Sequence, residues 1–339
     1  MKVAAVQLEA VVANISENLA RCERLVIDAV AAGAEWVMLP EFFSTGMAFD
    51  DALASAALPP DGVAVEMMMT LAKRNHITIG GSFLCRDADG HTRNAYFLVS
   101  PSGEILGRHD KDLPTMWENC YYIGGDDEGV IDLGDGRAAG AAVCWEFMRS
   151  QTARRLRGRV DVIVGGSAWW SSPSWHPKKI FEQLENSNSA TATGIAPAMA
   201  RLVGAPVIHA AHTGTLHCRI PWLPLRYRGH LEGGAMICTA DGRIQARRDA
   251  WEGPGFALAD VDLQRAAPTD AVSEKFWLHP RGAIPAAMWS MQRVHGKRYY
   301  KQKSYAPSKE RTTACEARRD LDSSRGAIKR IADQLGVHP

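Results

Sequence analysis

The chain has 339 residues, 46% of them hydrophobic, which is enough to form the buried core of one large domain or two ordinary ones. Its 39 lysines and arginines are balanced by 38 aspartates and glutamates, and this net charge of +1 gives no overall field that would select nucleic acid or an anionic membrane. We therefore expect a small-molecule partner, with no nucleic acid and no membrane.

The start of the chain and its cysteines indicate the compartment. No run of about 18 apolar residues is present, and MKVAAVQLEA has the pattern of a strand and not that of a secretory signal. The 7 cysteines are odd in number and contain no Cys-x-x-Cys pair, which argues against a disulfide framework or a zinc site. We expect a cytoplasmic protein with reduced thiols, one of which is available for chemistry.

The first part of the chain alternates strands with helices. KVAAVQLEA is predicted to be a buried strand, and an amphipathic helix follows it and ends at Gly33. The strand EWVMLPEFF, a helix around VAVEMMMTLAKRNH and the strand ITIGGSFL come next. This order predicts an α/β protein whose helices cover a sheet.

The middle of the chain changes in character. RNAYFLVS and ILGRHDK look like sequential strands joined by a tight Ser-Gly turn, so the sheet is predicted to be mixed. GRAAGAAVCWE is predicted to be a strand that ends at Cys144, and the helix SQTARRLRG and the strand VDVIVGGSAWW follow it. Later strands are predicted in APVIHAAHTG, GGAMICTADGRI and GFALADVDL.

From about Phe276 the regular pattern fades and positive charge accumulates. Residues 281–339 hold 13 lysines and arginines against 5 aspartates and glutamates, an excess of 8 positive charges. We therefore divide the chain into a domain at 1–275 and a basic C-terminal extension at 276–339. We expect the extension to wrap the fold or to lie at an oligomer interface, with a disordered end. An arm for nucleic acid or an acidic partner is the alternative, because tyrosines lie among the lysines.

Three residues in this pattern suit chemistry. Cys144 ends a strand of small apolar residues, where a junction with a helix exposes the sulfur beside backbone N–H groups. Cationic groups and N–H dipoles at such a junction are expected to lower the pKa of the thiol. Glu41 directly follows an apolar strand end, a setting suited to a general base, and Lys111 ends ILGRHDK. Taken singly, each residue also has an ordinary alternative. Cys144 could be a small buried hydrophobic residue, Glu41 a solvated glutamate at a strand end and Lys111 a surface lysine.

The three segments occur in a recognisable order. PEFFSTG, RNAYFLVSPSGEILGRHDK and AAVCWE resemble the glutamate, lysine and cysteine motifs of the carbon-nitrogen hydrolase (nitrilase) superfamily. The resemblance runs from about Met1 to Leu263. It implies a four-layer α-β-β-α sandwich with mixed sheets, formed by residues 1–275, and a homodimer or larger homo-oligomer built through that sandwich.

The resemblance also implies the role of each residue. Glu41 would be the general base, Lys111 the cation that stabilises the oxyanion, and Cys144 the nucleophile. The backbone N–H of Trp145 would be the second oxyanion donor. Glu118, in ENCYYIGGD, stands where the family often has another glutamate, which would hold the lysine and the attacking water in position. This chemistry requires no metal and no cofactor.

Other residues bear on the substrate pocket. Trp169 is a candidate wall of the pocket, with packing in the core as the alternative. His209 and His212 stand three apart near a strand end, but without a third ligand nearby we expect structural or pocket-lining roles for them. Acidic residues, Asp110 and Asp112, flank Lys111 in a position where the family usually has other residues.

The implied reaction is hydrolysis of a non-peptide carbon-nitrogen bond through a cysteine thioester. We expect an amide or carbamoyl substrate, because that branch of the superfamily is the broader one. A nitrilase is the alternative, because Cys-Trp-Glu resembles the nitrilase form of the cysteine motif somewhat more. A non-catalytic binding relative, or an interaction protein with a basic tail, is disfavoured by the presence of all three motif residues.

Overall fold

The computed structural model describes residues 1–279 and 282–305. The strands are β1 (Lys2–Leu8), β2 (Trp36–Met38), β3 (Thr78–Arg86), β4 (Thr92–Val99), β5 (Ile105–Asp110), β6 (Val130–Asp132), β7 (Ala138–Val143), β8 (Val162–Ser167), β9 (Val207–His212), β10 (Thr215–Arg219), β11 (Arg226–His230), β12 (Gly233–Cys238), β13 (Ile244–Asp249) and β14 (Gly255–Asp260). The helices are α1 (Ile15–Ala31), α2 (Val63–Asn75), α3 (Ser150–Leu156), α4 (Lys178–Val203) and α5 (Ala283–Tyr299). Short 3-10 turns occur at Asp51–Ser55, Met116–Cys120, Cys144–Met148 and Ala250–Glu252.

The strands form one large mixed sheet, and β10 and β11 form a separate hairpin. The order along the large sheet is β5-β4-β3-β2-β1-β9-β8-β7-β6, with β14 paired to β1, β12 to β9 and β13 to β12. The neighbours β3, β4 and β5 are antiparallel, whereas β1 is parallel to β2 and β9. The mixed sheet predicted from the Ser-Gly turn is therefore confirmed.

The side chains of β1 show how the layers are arranged. Ala4 and Val6 face a core shared with α1 and α2, whereas Val3 and Ala5 face a second core. This second core also holds residues of β7 to β9, α3 and α4. Because successive residues of a strand point to opposite faces, the two halves of the sheet pack against each other with helices outside. The predicted four-layer α-β-β-α sandwich is confirmed.

Two helices were not predicted from the sequence. In α4 the buried residues are confined to its second half, and the mostly polar first half has Ile180, Phe181 and Leu184 as its large apolar residues. In α5 few of the described residues are buried, and Gly296 and several basic residues obscure the helical pattern. The predicted disordered end of the extension lies outside the described residues. None of the described helices combines the length and the apolarity needed to span a membrane.

The topology brings several strand ends to one edge. β2, β3 and β5 point the same way, and so do β7 and β8. In sheets of this kind the groove beyond the carboxyl ends of the strands is the usual place for a ligand. Glu41, Lys111 and Cys144 each follow the end of such a strand.

Candidate active site

Glu41, Lys111, Cys144 and Glu118, predicted from four separate segments, come together in the structure. The Lys111 ammonium lies 2.8 Å from Glu41 Oε1 and 2.8 Å from Glu118 Oε2. The charge of the Glu41 carboxylate also acts on the Cys144 thiol, so the two groups lie close together. All four side chains are buried, so these charges interact in a medium much less polarisable than water.

The backbone at Cys144 is forced into an uncommon conformation. Its φ of 52° lies in the left-handed region that a residue with a Cβ rarely adopts. The sharp turn from β7 into the 3-10 turn Cys144–Met148 requires this conformation, and it aims the thiol at the edge of the sheet. Such local strain is typical of functional sites, where surrounding structure holds it in place.

The pKa of the Cys144 thiol differs from the sequence-based expectation. Burial and the negative charge of Glu41 raise this pKa well above its usual range, and the ammonium of Lys111 opposes them only in part. The expected lowering by cationic groups is therefore wrong, because a buried thiolate would lie next to a carboxylate. The thiol is protonated at neutral pH and needs a base in direct contact to become a nucleophile.

Three donors fix the position of the Glu41 carboxylate. Its Oε1 accepts hydrogen bonds from Asn94 Nδ2 at 2.9 Å and from Lys111, and its Oε2 accepts one from the backbone N–H of Ala168 at 2.8 Å. The carboxylate is thus aimed before any substrate arrives. Asn94 was not predicted, although an amide residue directly before the apolar run 95–99 of a buried strand was the signal that could have indicated it.

Two carboxylates keep Lys111 charged. Burial alone would favour the neutral amine, but Glu118 and Glu41 outweigh it and raise the pKa of Lys111 well above its usual value. Glu118 itself experiences the opposite balance, because burial exceeds the attraction of Lys111 and raises the pKa of its carboxyl to about 7. Glu118 also accepts hydrogen bonds from the hydroxyl of Tyr122 and, at 2.8 Å, from Thr115 N.

A further buried carboxylate, Glu146, links the segment of Lys111 to the segment of Cys144. Its Oε2 accepts a hydrogen bond from Val143 N at 2.7 Å, and its Oε1 accepts one from Asp112 N at 3.3 Å. The residue before the nucleophile and the residue after the lysine are therefore held by one side chain. Sequence reasoning missed this function and used Glu146 only as part of a family motif.

The same network accounts for the acidic residues that flank Lys111. Asp112 pairs with the buried guanidinium of Arg149, and Asp110 accepts a hydrogen bond from Arg108 at 2.8 Å. Each of these carboxylates is directed to an arginine, while Lys111 is directed to Glu41 and Glu118. The acidic neighbours therefore leave the geometry of the lysine intact.

His109 contacts Glu146 and Asp127 and should make the free energy of unfolding depend on pH. Burial favours the neutral ring, but Glu146 and Asp127 outweigh it and raise the pKa of His109 from 6.5 to about 9. Because the folded pKa is the higher one, the stabilisation is complete below about pH 6.5 and is lost as the pH rises through about 9. We expect the free energy of unfolding to fall by about 3 kcal/mol across this interval, at about 1.36 kcal/mol per pKa unit.

Substitution of Glu146 tests this assignment. In Glu146→Gln, we expect lower stability at pH 6 and a weaker dependence on pH, because the protonated ring loses its buried counter-charge. Urea unfolding at pH 6 and pH 9.5 measures both effects. The exposed Glu104→Gln variant is the control and should keep the wild-type slope. An unchanged slope in Glu146→Gln would show that another group titrates.

The predicted pocket residues lie beside the catalytic candidates. Trp145 directly follows Cys144 and is half-buried, and its ring centroid lies 6.3 Å from that of the buried Trp169. Trp169 Nε1 donates a hydrogen bond to Asn188 Oδ1 at 2.9 Å, which ties this ring to α4. Both rings therefore lie at the strand ends that carry Cys144 and Ala168.

The two histidines are buried within the fold. His212 Nε2 donates a hydrogen bond to the carbonyl oxygen of Glu41 at 2.6 Å, and His209 Nε2 lies 2.8 Å from Ser167 Oγ. Burial lowers the pKa of both, that of His209 to about 4. Within the described residues, the ligand atoms that come close enough to hold a metal ion are those of Glu185, His230 and Glu232, within 4.8 Å of one another. This group contains neither of the two histidines.

Comparison with known proteins establishes the family. The model of the family described as carbon-nitrogen hydrolase matches residues 2–271. The chain belongs to this family. The amidase from Nesterenkonia sp. AN1 has a similar fold, with a TM-score of 0.61 at 18% identity for one of its structures, which covers 78% of this chain and 94% of the amidase. A further structure of that amidase shows an acetamide moiety added covalently at its active site cysteine.

The curated relatives of this chain include both enzymes named as amidases and enzymes named as nitrilases. Deaminated glutathione amidase of Synechocystis sp. is 28% identical over 269 residues, which are 74% of this chain and 88% of the relative. Nitrilase 1 of Arabidopsis thaliana is 29% identical over 202 residues, which are 52% of this chain and 58% of the relative. Nitrilase 3 of the same plant is 31% identical, and the match spans 47% of its length. The chain thus matches only about half the length of these plant relatives.

Proposed function

We propose that this carbon-nitrogen hydrolase cleaves an amide or carbamoyl bond of a small molecule through a cysteine thioester and releases ammonia or an amine. One observation carries the proposal: the Glu41 carboxylate accepts a hydrogen bond from the ammonium of Lys111 and acts electrostatically on the thiol of Cys144 in the same buried site. A single base thus lies near the nucleophile, and a permanent positive charge lies beside that base. This is the arrangement that acyl transfer requires.

The first half of the reaction forms the thioester. Glu41 takes the proton of the Cys144 thiol as Sγ attacks the carbonyl carbon, and the carbonyl π electrons move to oxygen. Lys111 and the backbone N–H of Trp145 stabilise the resulting oxyanion. When the carbon-nitrogen bond breaks, Glu41 returns its proton to the departing nitrogen, so that ammonia or an amine leaves and the carboxylate is regenerated.

The second half releases the acid. Glu41 takes a proton from a water molecule as the water oxygen attacks the thioester carbon. Lys111 and the backbone N–H of Trp145 stabilise the second oxyanion as they did the first. The carbon-sulfur bond then breaks, and the sulfur receives the proton held by Glu41. Glu118 keeps Lys111 in place throughout, because it accepts a second hydrogen bond from the ammonium beside the one that Glu41 accepts.

One observation supports amide over nitrile chemistry. The deaminated glutathione amidase from Synechocystis sp. aligns over 74% of this chain, whereas Nitrilase 1 of Arabidopsis thaliana aligns over 52%. Nitrile hydrolysis remains the second candidate, because the nitrilases reach 29% and 31% identity where they do align. The two reactions differ chemically, since a nitrile must take up two waters before ammonia and acid are released.

A substrate panel separates these candidates. We expect ammonia release from benzamide, acetamide and an N-carbamoyl amino acid to define the preferred class. The best amide or carbamoyl compound should exceed its matched nitrile, benzonitrile or acetonitrile, by at least about tenfold in kcat/KM. Ammonia and carboxylic acid are measured together as products. A higher kcat/KM for the nitriles would assign the chain to nitrile hydrolysis instead.

A further inference from the structure

The chain continues past the end of the family match at residue 271 and contacts the turn that carries Cys144. Three hydrogen bonds connect the segment 275–278 to Met148, at the end of that turn, and to Ser150, just after it. Ser150 N donates to Phe276 O at 3.2 Å, Ser150 Oγ to Lys275 O at 2.5 Å, and Leu278 N to Met148 O at 2.8 Å. This segment therefore has a fixed position next to the turn that carries Cys144.

Helix α5 and the turn Tyr300–Ser304 that follows it bind the loop that carries Glu118. Trp289 Nε1 of the helix donates a hydrogen bond to Pro114 O at 3.2 Å, and Ser304 Oγ of the turn donates one to Cys120 O at 2.6 Å. Gly296 allows close approach, because a Cβ there would lie 2.6 Å from the Cβ of Asn119. The helix is thus packed on the 3-10 turn that carries Glu118.

The segment 275–278 and helix α5 each place a tryptophan, Trp277 and Trp289, next to Trp145, which directly follows the nucleophile. The ring centroid of Trp145 lies 5.6 Å from that of Trp277 and 6.4 Å from that of Trp289. Trp277 and Trp289 are 6.0 Å apart with their planes at 83°. These separations and tilts are those at which aromatic rings attract one another. All three rings are half-buried, so this aromatic wall of Trp145, Trp277 and Trp289 retains accessible surface.

Trp289 also borders a partly open cavity of suitable size for a ring. This cavity of about 170 Å³ lies between α5 and the loop 112–124, and its lining combines Pro114 and Tyr122 with the charged residues Asp112, Arg293 and Lys297. An apolar cavity of about 150 Å³ is large enough to bind benzene. Tyr122 connects this space to the candidate active site, because its hydroxyl donates a hydrogen bond to Glu118.

We propose that residues 276–279 and 282–299 complete the substrate site, and that the aromatic wall selects substrates with one planar aromatic group attached to the scissile carbon. The inference rests on the proposed function, because it concerns the acyl part of the same substrate. Trp277 and Trp289 act as specificity residues that contact this group. The flat rings of the wall match a planar apolar group better than a short aliphatic one.

Kinetic discrimination between two substrates tests the wall. The ratio of kcat/KM for benzamide to that for acetamide should fall by about tenfold in Trp289→Ala and in Trp277→Ala, because each variant removes one ring of the wall. The ratio cancels any loss that affects both substrates equally, including a shift of the loop with Glu118. Trp289→Phe keeps a ring and should retain most of the preference. Trp251→Ala is the matched control, because Trp251 is 85% exposed in a different turn.

A binding experiment separates this proposal from the proposed function. In the full chain with Cys144→Ala, calorimetry should show benzamide bound more tightly than acetamide, and Trp289→Ala should remove most of the difference. Equal affinities for the two compounds, or a kinetic ratio that the tryptophan variants leave unchanged, would overturn the aromatic wall. Turnover that persists without Cys144 would instead overturn the proposed chemistry. The calorimetry would still show whether the aromatic wall binds benzamide more tightly than acetamide.

Discussion

Replacement of Cys144 by alanine should lower kcat/KM by about ten-thousand-fold or more, because the thioester cannot form without the sulfur. Cys144→Ser should be nearly as inactive. A serine hydroxyl is a weaker acid than a thiol, and this buried site already opposes formation of an anion at that position. Ammonia release from the preferred substrate measures both variants, with circular dichroism to verify folding.

A second cysteine provides the control for this prediction. Cys218 is the more exposed thiol and lies on β10, so Cys218→Ala should keep kcat/KM within about twofold of wild type. Alkylation by iodoacetamide adds an independent measurement, because labelling of Cys144 at neutral pH should slow in Glu41→Gln, which cannot take the thiol proton. Turnover that survives Cys144→Ala in a folded protein would exclude this nucleophile.

The sequence was sufficient to predict which residues meet, but not how their charges balance. The resemblance of three motifs to one family implied that Glu41, Lys111 and Cys144 act together. The topology explains their proximity, because each residue follows the end of a strand and these strand ends share an edge. The pKa of the thiol does not follow from the topology, because it depends on the competition between burial, one carboxylate and one ammonium. That competition is decided by distances that no local pattern specifies.

The sequence did not indicate α4, α5 or the role of Glu146, because none of them leaves a clear local pattern. The first half of α4 is mostly polar, and few of the described residues of α5 are buried, so neither shows a long apolar stripe of the kind by which helices are recognised in a sequence. Glu146 resembles an ordinary charged residue until the fold places Val143 N and Asp112 N beside it. Long-range contacts of this type assign a function that neighbours in the sequence do not indicate.

Replacement of Lys111 by methionine should lower kcat/KM by a factor on the order of a hundred or more, because it removes a charge that stabilises the oxyanion. The loss should appear mainly in kcat, since the developing charge exists in the transition state and not in the bound substrate. Lys111→Arg should rescue little, because the wider guanidinium must fit between two carboxylates that each lie 2.8 Å from the ammonium. Steady-state kinetics of both variants measure these effects.

Stability must be separated from catalysis in this case, because Lys111→Met leaves Glu41 and Glu118 buried without their cation. Loss of one partner from a buried ion pair typically costs about 3–5 kcal/mol. The double variant Lys111→Met/Glu118→Gln removes one of the two carboxylates and should recover part of the stability but none of the turnover. Lys73→Met is the control, because Lys73 is exposed on α2 and should leave both quantities unchanged. Near-normal turnover in folded Lys111→Met would contradict the oxyanion role of Lys111 and require another cation at the site.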